Sequence, residues 1–328
     1  MPELPEVETV RRGLAAQIVG RTFTGLAFLE WPRTIEAPGP EEFARRIAGR
    51  RVEAVRRRAK FLVVALDGGE SLTIHLRMTG QVTVAPQEAP RERFARVALG
   101  FIDGAELRFS DIRRFGRLAL FDEAALIDRL RELGPEPLDA AWRREDFAAA
   151  LARRRTRLKP LLLDQTFLAG LGNIYVDEAL FRARLHPLTV AADVPAERAH
   201  ILHAAIRALL TEAIASGGTT FSNYRDAYGQ AGDYYERRRV YGREDAPCLD
   251  CGQPIVRIVV GGRGTHFCPA CQPAPDAPVA PDAPTASIAT IVPFPTRAPR
   301  RRVAEKGVAY VATDGSERGT ESEGSDGR

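Results

Sequence analysis

Cys248, Cys251, Cys268 and Cys271 are the four cysteines of the chain, and they stand in the spacing C-x2-C-x16-C-x2-C. Two facing C-x-x-C turns set four thiolates at the corners of a tetrahedron, the geometry Zn2+ prefers. With every coordination position taken by protein, the metal is structural. The N-terminus carries acids where an export signal would be basic and then apolar, and in a chain kept reduced this spacing favours metal over disulfides. Between the pairs, residues 255–260 followed by Gly261-Gly262-Arg263-Gly264-Thr265 read as a β-hairpin with Arg263 at its tip. An arginine on a turn is ordinarily only solvated, but this posture also suits reaching a phosphate.

A chain of 328 residues exceeds one hydrophobic core and implies two folded units. The first helix is marked by Pro5 in its first turn, by Glu6 and Glu8 where the dipole favours acids, by Val7, Val10, Leu14 and Ile18 on one face, and by Gly20 as a stop. From about residue 21 to 121 the period shortens to two, in runs such as 71–77, 81–85, 96–101 and 106–109. Asp67-Gly68-Gly69 and Asp103-Gly104 supply turns between them. This pattern predicts an antiparallel β-sandwich of seven or eight strands with one N-terminal helix, residues 1–132.

Helical spacing follows in residues 126–133, 147–151, 159–167 and 199–214, and Leu133-Gly134-Pro135-Glu136-Pro137-Leu138 breaks it where the two domains join. The reading is an α+β protein: the sandwich, a helical domain over 133–238, the zinc hairpin over 239–272, and a tail over 273–328. Eight prolines between Pro273 and Pro299, then Arg300 to Arg302 and a Gly/Ser/Glu-rich end, leave too little apolar surface for a core. The tail is expected to be disordered, with a short strand near Val308 to Val311.

The net charge of +4 says little. Lysines and arginines nevertheless cluster at residues 50–60, 113–117, 153–159 and 237–243, either as solvated faces or as a surface for a polyanion. No apolar run is long enough to cross a membrane, so a soluble, cytoplasmic protein with no membrane partner is expected.

The start Met1-Pro2-Glu3-Leu4-Pro5-Glu6 is chemically unusual. A small second residue permits removal of Met1, leaving a secondary amine. An α-amino pKa near 8 leaves part of it unprotonated at neutral pH, able to attack a sugar carbon and form an iminium. Glu3 and Glu6 are placed to move protons beside it. The same prolines and acids also serve simply to start a helix, and both readings stay open at this level.

Residues 1–9, Met1-Pro2-Glu3-Leu4-Pro5-Glu6-Val7-Glu8-Thr9, together with Lys60 in Arg57-Arg58-Ala59-Lys60, resemble the formamidopyrimidine-DNA glycosylases. The resemblance continues through His75-Leu76-Arg77-Met78-Thr79-Gly80, Asp111-Ile112-Arg113-Arg114-Phe115-Gly116 and Gly170-Leu171-Gly172-Asn173-Ile174-Tyr175. Gly217-Gly218-Thr219-Thr220, Val240-Tyr241-Gly242-Arg243 and the cysteines up to Gln272 complete it. It implies a monomeric base-excision enzyme that removes 8-oxoguanine and ring-opened purines from double-stranded DNA and cleaves abasic sites by β,δ-elimination through a Schiff base on Pro2. It further implies a helix-two-turns-helix element in the helical domain, with the DNA in the cleft between domains.

In that resemblance Glu3 is the general acid/base, Glu6 assists, and Lys60 holds a phosphate near the damaged nucleotide. Met78, Arg113 and Phe115 fill the gap left by the extruded nucleotide, Arg113 meeting the orphaned base, preferably cytosine. Asn173 and Arg263 grip backbone phosphates, and Gly229, Gly232 and Tyr234 belong to a loop over the extruded base. Taken alone, Lys60 reads as a solvated strand edge, Met78 and Phe115 as core, Asn173 as a helix cap and His75 as structural. The loop departs from the family pattern in Asp233-Tyr234-Tyr235-Glu236-Arg237-Arg238-Arg239, where Arg238 fills an apolar position. The tail after Gln272 is extra. Two rivals remain: an endonuclease VIII-type glycosylase for oxidised pyrimidines, and a zinc-ribbon protein that binds DNA without cutting it.

Overall fold

The computed structural model describes residues 2–220 and 224–275. The tail from residue 276 onward, with Arg300 to Arg302 and the strand expected near Val308 to Val311, lies outside the described residues, as do residues 221–223, of which Ser222 and Asn223 open the expected lesion loop.

Helix α1 (Leu4–Ile18) starts where Glu6 turns back to accept the Glu3 N–H at 2.8 Å, with Pro5 in the first turn. Its buried stripe of Val7, Val10, Leu14 and Ile18 joins the sandwich core, whereas Leu4 at its head joins the helical core. One helix is thus shared between two hydrophobic centres. Gly13 breaks the rule against mid-helix glycine for a steric reason: a Cβ there would stand 2.9 Å from the Ala227 Cβ.

The chain continues through β1 (Phe23–Leu29), β2 (Ile35–Ala37), α2 (Pro40–Ile47), β3 (Val52–Arg58), β4 (Phe61–Leu66), β5 (Glu70–His75), β6 (Gly80–Pro86), β7 (Ala95–Phe101), β8 (Ala105–Asp111), β9 (Arg117–Asp122) and α3 (Glu123–Leu130). The strands form two sheets, β1-β7-β8-β6 and β2-β9-β5-β4-β3. Leu62, Val64, Leu72, Ile74, Leu118 and Leu120 of one sheet share a core with Val82, Val97, Leu99, Leu107 and Phe109 of the other.

The sandwich expected from the sequence is present with three differences. Among the described residues it has nine strands, and β2 pairs with β9 in parallel. It also carries α2, which buries only Phe43 and Ile47. Eight residues with two buried positions give too short a pattern for helical periodicity to register, and β2, at three residues, is shorter still.

The helical part holds α4 (Arg144–Ala152), α5 (Leu158–Leu163), α6 (Asn173–Arg182) and α7 (Ala196–Ala215). Helix α5 stops at Leu163 although apolar spacing continues to Phe167. The Asp164 carboxylate accepts from the Thr166 N–H at 2.9 Å and its hydroxyl at 2.8 Å, an Asx turn that diverts the chain. Gln165 then spans the connection to α6, donating to the Leu163 and Leu171 carbonyls and accepting from the Gly170 N–H. At the join between domains, Arg57 and Arg58 both reach Glu136, at 2.7 and 3.1 Å, and Arg58 also donates to the carbonyls of Leu133 and Gly134.

Strands β10 (Val256–Val260) and β11 (Arg263–Phe267) form the hairpin, over a small core of Phe181, Val240, Ile255, Cys248, Cys268 and Cys271. Its entry is fixed by Glu178, fully buried on α6, whose carboxylate accepts the N–H groups of Arg239, Val240 and Tyr241 at 2.9 Å or slightly more. Burial raises the pKa of Glu178 while these donors oppose the rise. Glu178→Ala leaves three donors without an acceptor. It is expected to lower stability by about 2–3 kcal/mol in urea unfolding and to increase amide exchange first at residues 239–241.

Candidate active site and metal centre

The Glu3 carboxylate, 2% exposed, sits on the N-terminus of α6. It accepts the N–H groups of Gly172 at 2.7 Å, Ile174 at 3.0 Å and Tyr175 at 3.5 Å. Those are the unpaired donors of a helix start, and the helix dipole favours an anion there. Glu6, one turn along α1, accepts the Tyr175 hydroxyl at 2.6 Å and the Thr219 N–H at 2.7 Å. Burial, with Glu3 nearby, raises its pKa above the ordinary carboxylate range.

Lys60 enters from the sandwich. The turn before β4 places Ala59 in the left-handed region at φ 52°, and Lys60 Nζ donates to the Leu171 carbonyl at 2.7 Å. Burial lowers the ammonium's pKa, with Glu3 and Glu6 opposing. Leu171 O and Gly172 N belong to one peptide unit, so Lys60 and the Glu3 carboxylate bind its two opposite edges, near enough for their charges to act on each other, with buried Pro2 next to Glu3 in the chain. Pro2, Glu3, Glu6 and Lys60 are therefore brought to one place.

Asn173 is the first residue of α6 and not its cap, which is Gly172. Glu3 performs the capping from another domain, which frees the Asn173 amide to donate to Gly264 O in the hairpin at 2.9 Å. The hairpin turns at Gly261 and Gly262, with φ 57° and 73°, so both central residues need the left-handed region and glycine supplies it. Arg263 follows, exposed, close enough for its charge to act on both Lys60 and Lys159.

A second exposed group lies on the sandwich. Met78, 41% exposed, and Phe115, 47% exposed, stand on neighbouring loops, and the Arg113 guanidinium lies 4.8 Å from the Phe115 ring centre. Asp111 joins the loops: its carboxylate accepts from the Thr79 hydroxyl, from the Arg113 N–H at 3.1 Å and from the Gly116 N–H at 2.7 Å. An exposed Met and Phe held on ordered turns are not core residues.

Among the described residues of the expected lesion loop, the two glycines serve different ends. Gly229 does adopt φ 76°, in a turn closed by Asp226. Gly232 is needed for space, since a Cβ there would overlap the carbonyls of Gly217 and Gly218. Tyr234 is completely buried in the helical core, 5.8 Å from the Tyr175 ring, with its hydroxyl on Arg182, and so stands away from the surface. Arg238 in its apolar setting stacks 3.6 Å from the Tyr235 ring centre and donates to the carbonyls of Tyr235 and Tyr241.

The basic runs divide in the fold. Arg57, Arg58 and Arg238 serve as internal ties, while Arg113, Arg153, Arg154, Arg155, Arg157 and Arg263 face solvent. Lys159 is fully buried against Asp177, whose other oxygen accepts the His266 N–H of β11 at 2.9 Å. The sequence reading missed this pair, and it missed Tyr175 and Thr219 as partners of Glu6. Lys159 looked like surface because it closes a run of arginines, whereas Tyr175 and Thr219 lie within the family motifs.

The four Cys Sγ atoms lie within 4.8 Å of one another, with Cys248–Cys271 at 4.0 Å and Cys251–Cys268 at 3.5 Å. A tetrahedron with Zn–S bonds of about 2.3 Å has edges of roughly 3.8 Å, whereas a disulfide needs about 2.0 Å. The set fits one Zn2+, and the Asp250 N–H, directed at Cys248 Sγ, and the Cys271 N–H, directed at Cys268 Sγ, suit thiolates.

Two outcomes follow from this geometry. Gly172 has φ −134°, open to any residue, but a Cβ there would overlap the Glu3 carboxyl. Gly172→Ala is therefore expected to cost roughly 1–3 kcal/mol in chemical denaturation. His75, packed edge-on to Phe61, is held down to a pKa of about 3, chiefly by burial, with the charges of Arg77 and Lys60 adding to the effect. The folded ring stays neutral while the unfolded chain takes up a proton near 6.5, so its contribution is complete above about pH 6.5 and is lost as pH falls toward 3. Urea titrations should show His75→Asn losing less stability with acid, by up to about 1.4 kcal/mol per pH unit.

Comparison with known proteins agrees along the described chain. The family models for the formamidopyrimidine-DNA glycosylase N-terminal domain, its H2TH domain, and the zinc finger found in FPG and IleRS match residues 1–118, 133–225 and 246–274. Formamidopyrimidine-DNA glycosylase of Chloroflexus aurantiacus is 51% identical over 272 residues, which is 83% of this chain and 98% of that protein. The enzyme of Herpetosiphon aurantiacus is 48% identical over 272 residues, covering 83% of this chain and all of the relative. A solved complex between the Lactococcus lactis Fpg and an abasic site containing DNA superposes with a TM-score of 0.78 at 36% identity, covering 83% of this chain and all of that one. The Lactococcus lactis complex with a Fapy-dG containing DNA gives 0.77 at 35%, with the same coverage. The chain belongs to the formamidopyrimidine-DNA glycosylase family: it is a zinc-finger DNA glycosylase that acts on damaged DNA.

Proposed function

We propose that this chain removes oxidised and ring-opened purines, 8-oxoguanine and formamidopyrimidines, from duplex DNA and then cleaves the abasic strand through a Schiff base on its N-terminal proline. The observation that carries this reading is the convergence of Glu3, Glu6 and Lys60 on residues 171–175, beside Pro2. With Met1 removed, Pro2 offers a secondary amine. Its nitrogen attacks C1′ of the damaged nucleotide, the bond from C1′ to the base breaks, and the Glu3 carboxylate takes the proton shed by the attacking amine and passes it to the leaving group. The C1′–O4′ bond then opens, the nitrogen lone pair forming the C1′=N+ bond while a proton passes to O4′, and the resulting iminium makes the C2′ proton acidic. Loss of that proton expels the 3′ phosphate, and a second elimination expels the 5′ phosphate. Glu6 sustains the charge balance beside Glu3, and Lys60 holds a phosphate next to the reacting sugar.

Extruding a nucleotide leaves a hole in the stack, and Met78, Arg113 and Phe115 are shaped to fill it, with Arg113 donating to the orphaned base. Arg263 reaches a phosphate from the hairpin tip. Asn173 contributes by contact and by tying Gly264 in place. Gly229 and Gly232 shape the loop over the extruded base, with Tyr234 as its buried anchor. Zn2+ on Cys248, Cys251, Cys268 and Cys271 stiffens the hairpin and supplies no reacting group. The Fapy-dG and abasic-site DNA of the Lactococcus lactis complexes support this substrate class. Met78, Arg113 and Phe115 together favour purine lesions over the oxidised pyrimidines of the endonuclease VIII type.

Borohydride trapping on an 8-oxoguanine:cytosine duplex tests the chemistry. The native chain is expected to be trapped, Pro2→Gly to be trapped poorly, and Glu3→Gln to lose base excision by about a hundredfold or more while still cutting preformed abasic sites. Glu3→Gln excising at the native rate would remove Glu3 from its role. Fully active material that retains Met1 would remove the amine from its own.

A further inference from the structure

Arg114 stands between Arg113 and Phe115 and takes no part in the role proposed for them. It adopts φ 59°, a left-handed backbone that a non-glycine residue keeps only when its surroundings hold it. Its guanidinium donates to Glu30 Oε1 at 2.8 Å and lies 4.6 Å from the Trp31 ring centre. Both partners come from the segment after β1. The other Glu30 oxygen accepts from Arg96 at 2.7 Å, and buried Arg96 in turn donates to the Asp111 carbonyl at 2.8 Å. Glu30 thus holds the loop at its root, the last residue of β8, through Arg96, and at its bend, through Arg114. Arg117 adds a bond to the Arg114 carbonyl at 3.1 Å.

We infer that Glu30 and Trp31 are positioning residues that clamp Arg114 and thereby set how Arg113 meets the base opposite the lesion, making them determinants of opposite-base selectivity. This rests on the role proposed above for Arg113. Departure of Arg114 from its left-handed conformation would change the course of the chain on either side and so redirect Arg113 and Phe115, and the Arg113 fork distinguishes bases only when its plane is fixed. An isolated exposed ion pair would be too weak for the task. Here the carboxylate is shared with a buried arginine and the cation also rests on an indole face, so the tie is a network. Ordering the loop before DNA arrives also removes a cost that would otherwise fall on binding.

The test measures excision of 8-oxoguanine opposite cytosine and opposite adenine by the full chain and by Glu30→Ala, Trp31→Leu, Arg114→Ala, Glu30→Ala/Arg114→Ala and Arg113→Ala variants. Glu30→Ala and Arg114→Ala are each expected to shrink the cytosine-to-adenine rate ratio by about fivefold, the scale of one such tie, with Trp31→Leu in the same direction. The double variant should do no more than either single change. For Glu30→Ala, Trp31→Leu and Arg114→Ala, cutting of a preformed abasic site in single-stranded DNA, where no partner base is read, should change by less than about twofold.

A ratio within twofold of native for Glu30→Ala and Arg114→Ala, while Arg113→Ala collapses it, overturns the clamp and leaves the role of Arg113 standing. An unchanged ratio for Arg113→Ala overturns both. A loss of single-stranded cleavage equal to the loss on duplex would show general unfolding and also overturn the clamp.

Discussion

The seating of the Glu3 carboxylate on the first turn of α6 is the contact around which the described structure is arranged. A helix N-terminus presents several N–H groups with no partner of their own, and a buried carboxylate is costly unless it is fully hydrogen-bonded. Each satisfies the other, across 169 residues of sequence at the Gly172 bond. The contact draws the head of α1 into the helical core while the rest of the helix belongs to the sandwich. The close approach excludes side chains at Gly172, where a Cβ would overlap Glu3, and at Gly170, where it would overlap Leu4. The proposed catalytic groups therefore lie where the two cores share one helix.

The buried charges follow one rule. Lys159 meets Asp177, Glu178 meets three backbone donors, and Arg108 meets Glu106 and the carbonyls of Pro86, Ala89 and Pro90. Removing one partner of such a set leaves an uncompensated charge in a poor solvent for it, which is why these groups act as fasteners. The hairpin is held in this way at several points: Asp177 at His266, Glu178 at residues 239–241, Asn173 at Gly264, and the metal among the four cysteines. That multiplicity fixes the backbone of a strand only five residues long, and with it the start of Arg263, whose charge acts on Lys60.

Several elements were legible in the sequence because their signals are local. The C-x2-C pairs, Gly261-Gly262, Pro5 with Glu6, and the alternation in β5 to β8 each depend on neighbours a few residues apart, and each appears where the spacing put it. The missed features are short or balanced by distant partners. Helix α2 and strand β2 offer too few periods, and α5 ends at an Asx turn that a helical pattern does not announce. Lys159, Arg57 and Arg58 read as surface because the acids that bind them, Asp177 and Glu136, lie 18 to 79 residues away.

By itself the sequence determined the element types, the metal ligands and the family, because propensity, ligand spacing and motif are properties of adjacent residues. Tertiary structure alone decided that Glu3, not Asn173, caps α6, that Tyr234 is core, and which cations of each basic run face solvent. The reason is desolvation: whether a polar group is a tie, a cap or an exposed hand depends on what is packed against it, and residues far apart in the chain supply that packing.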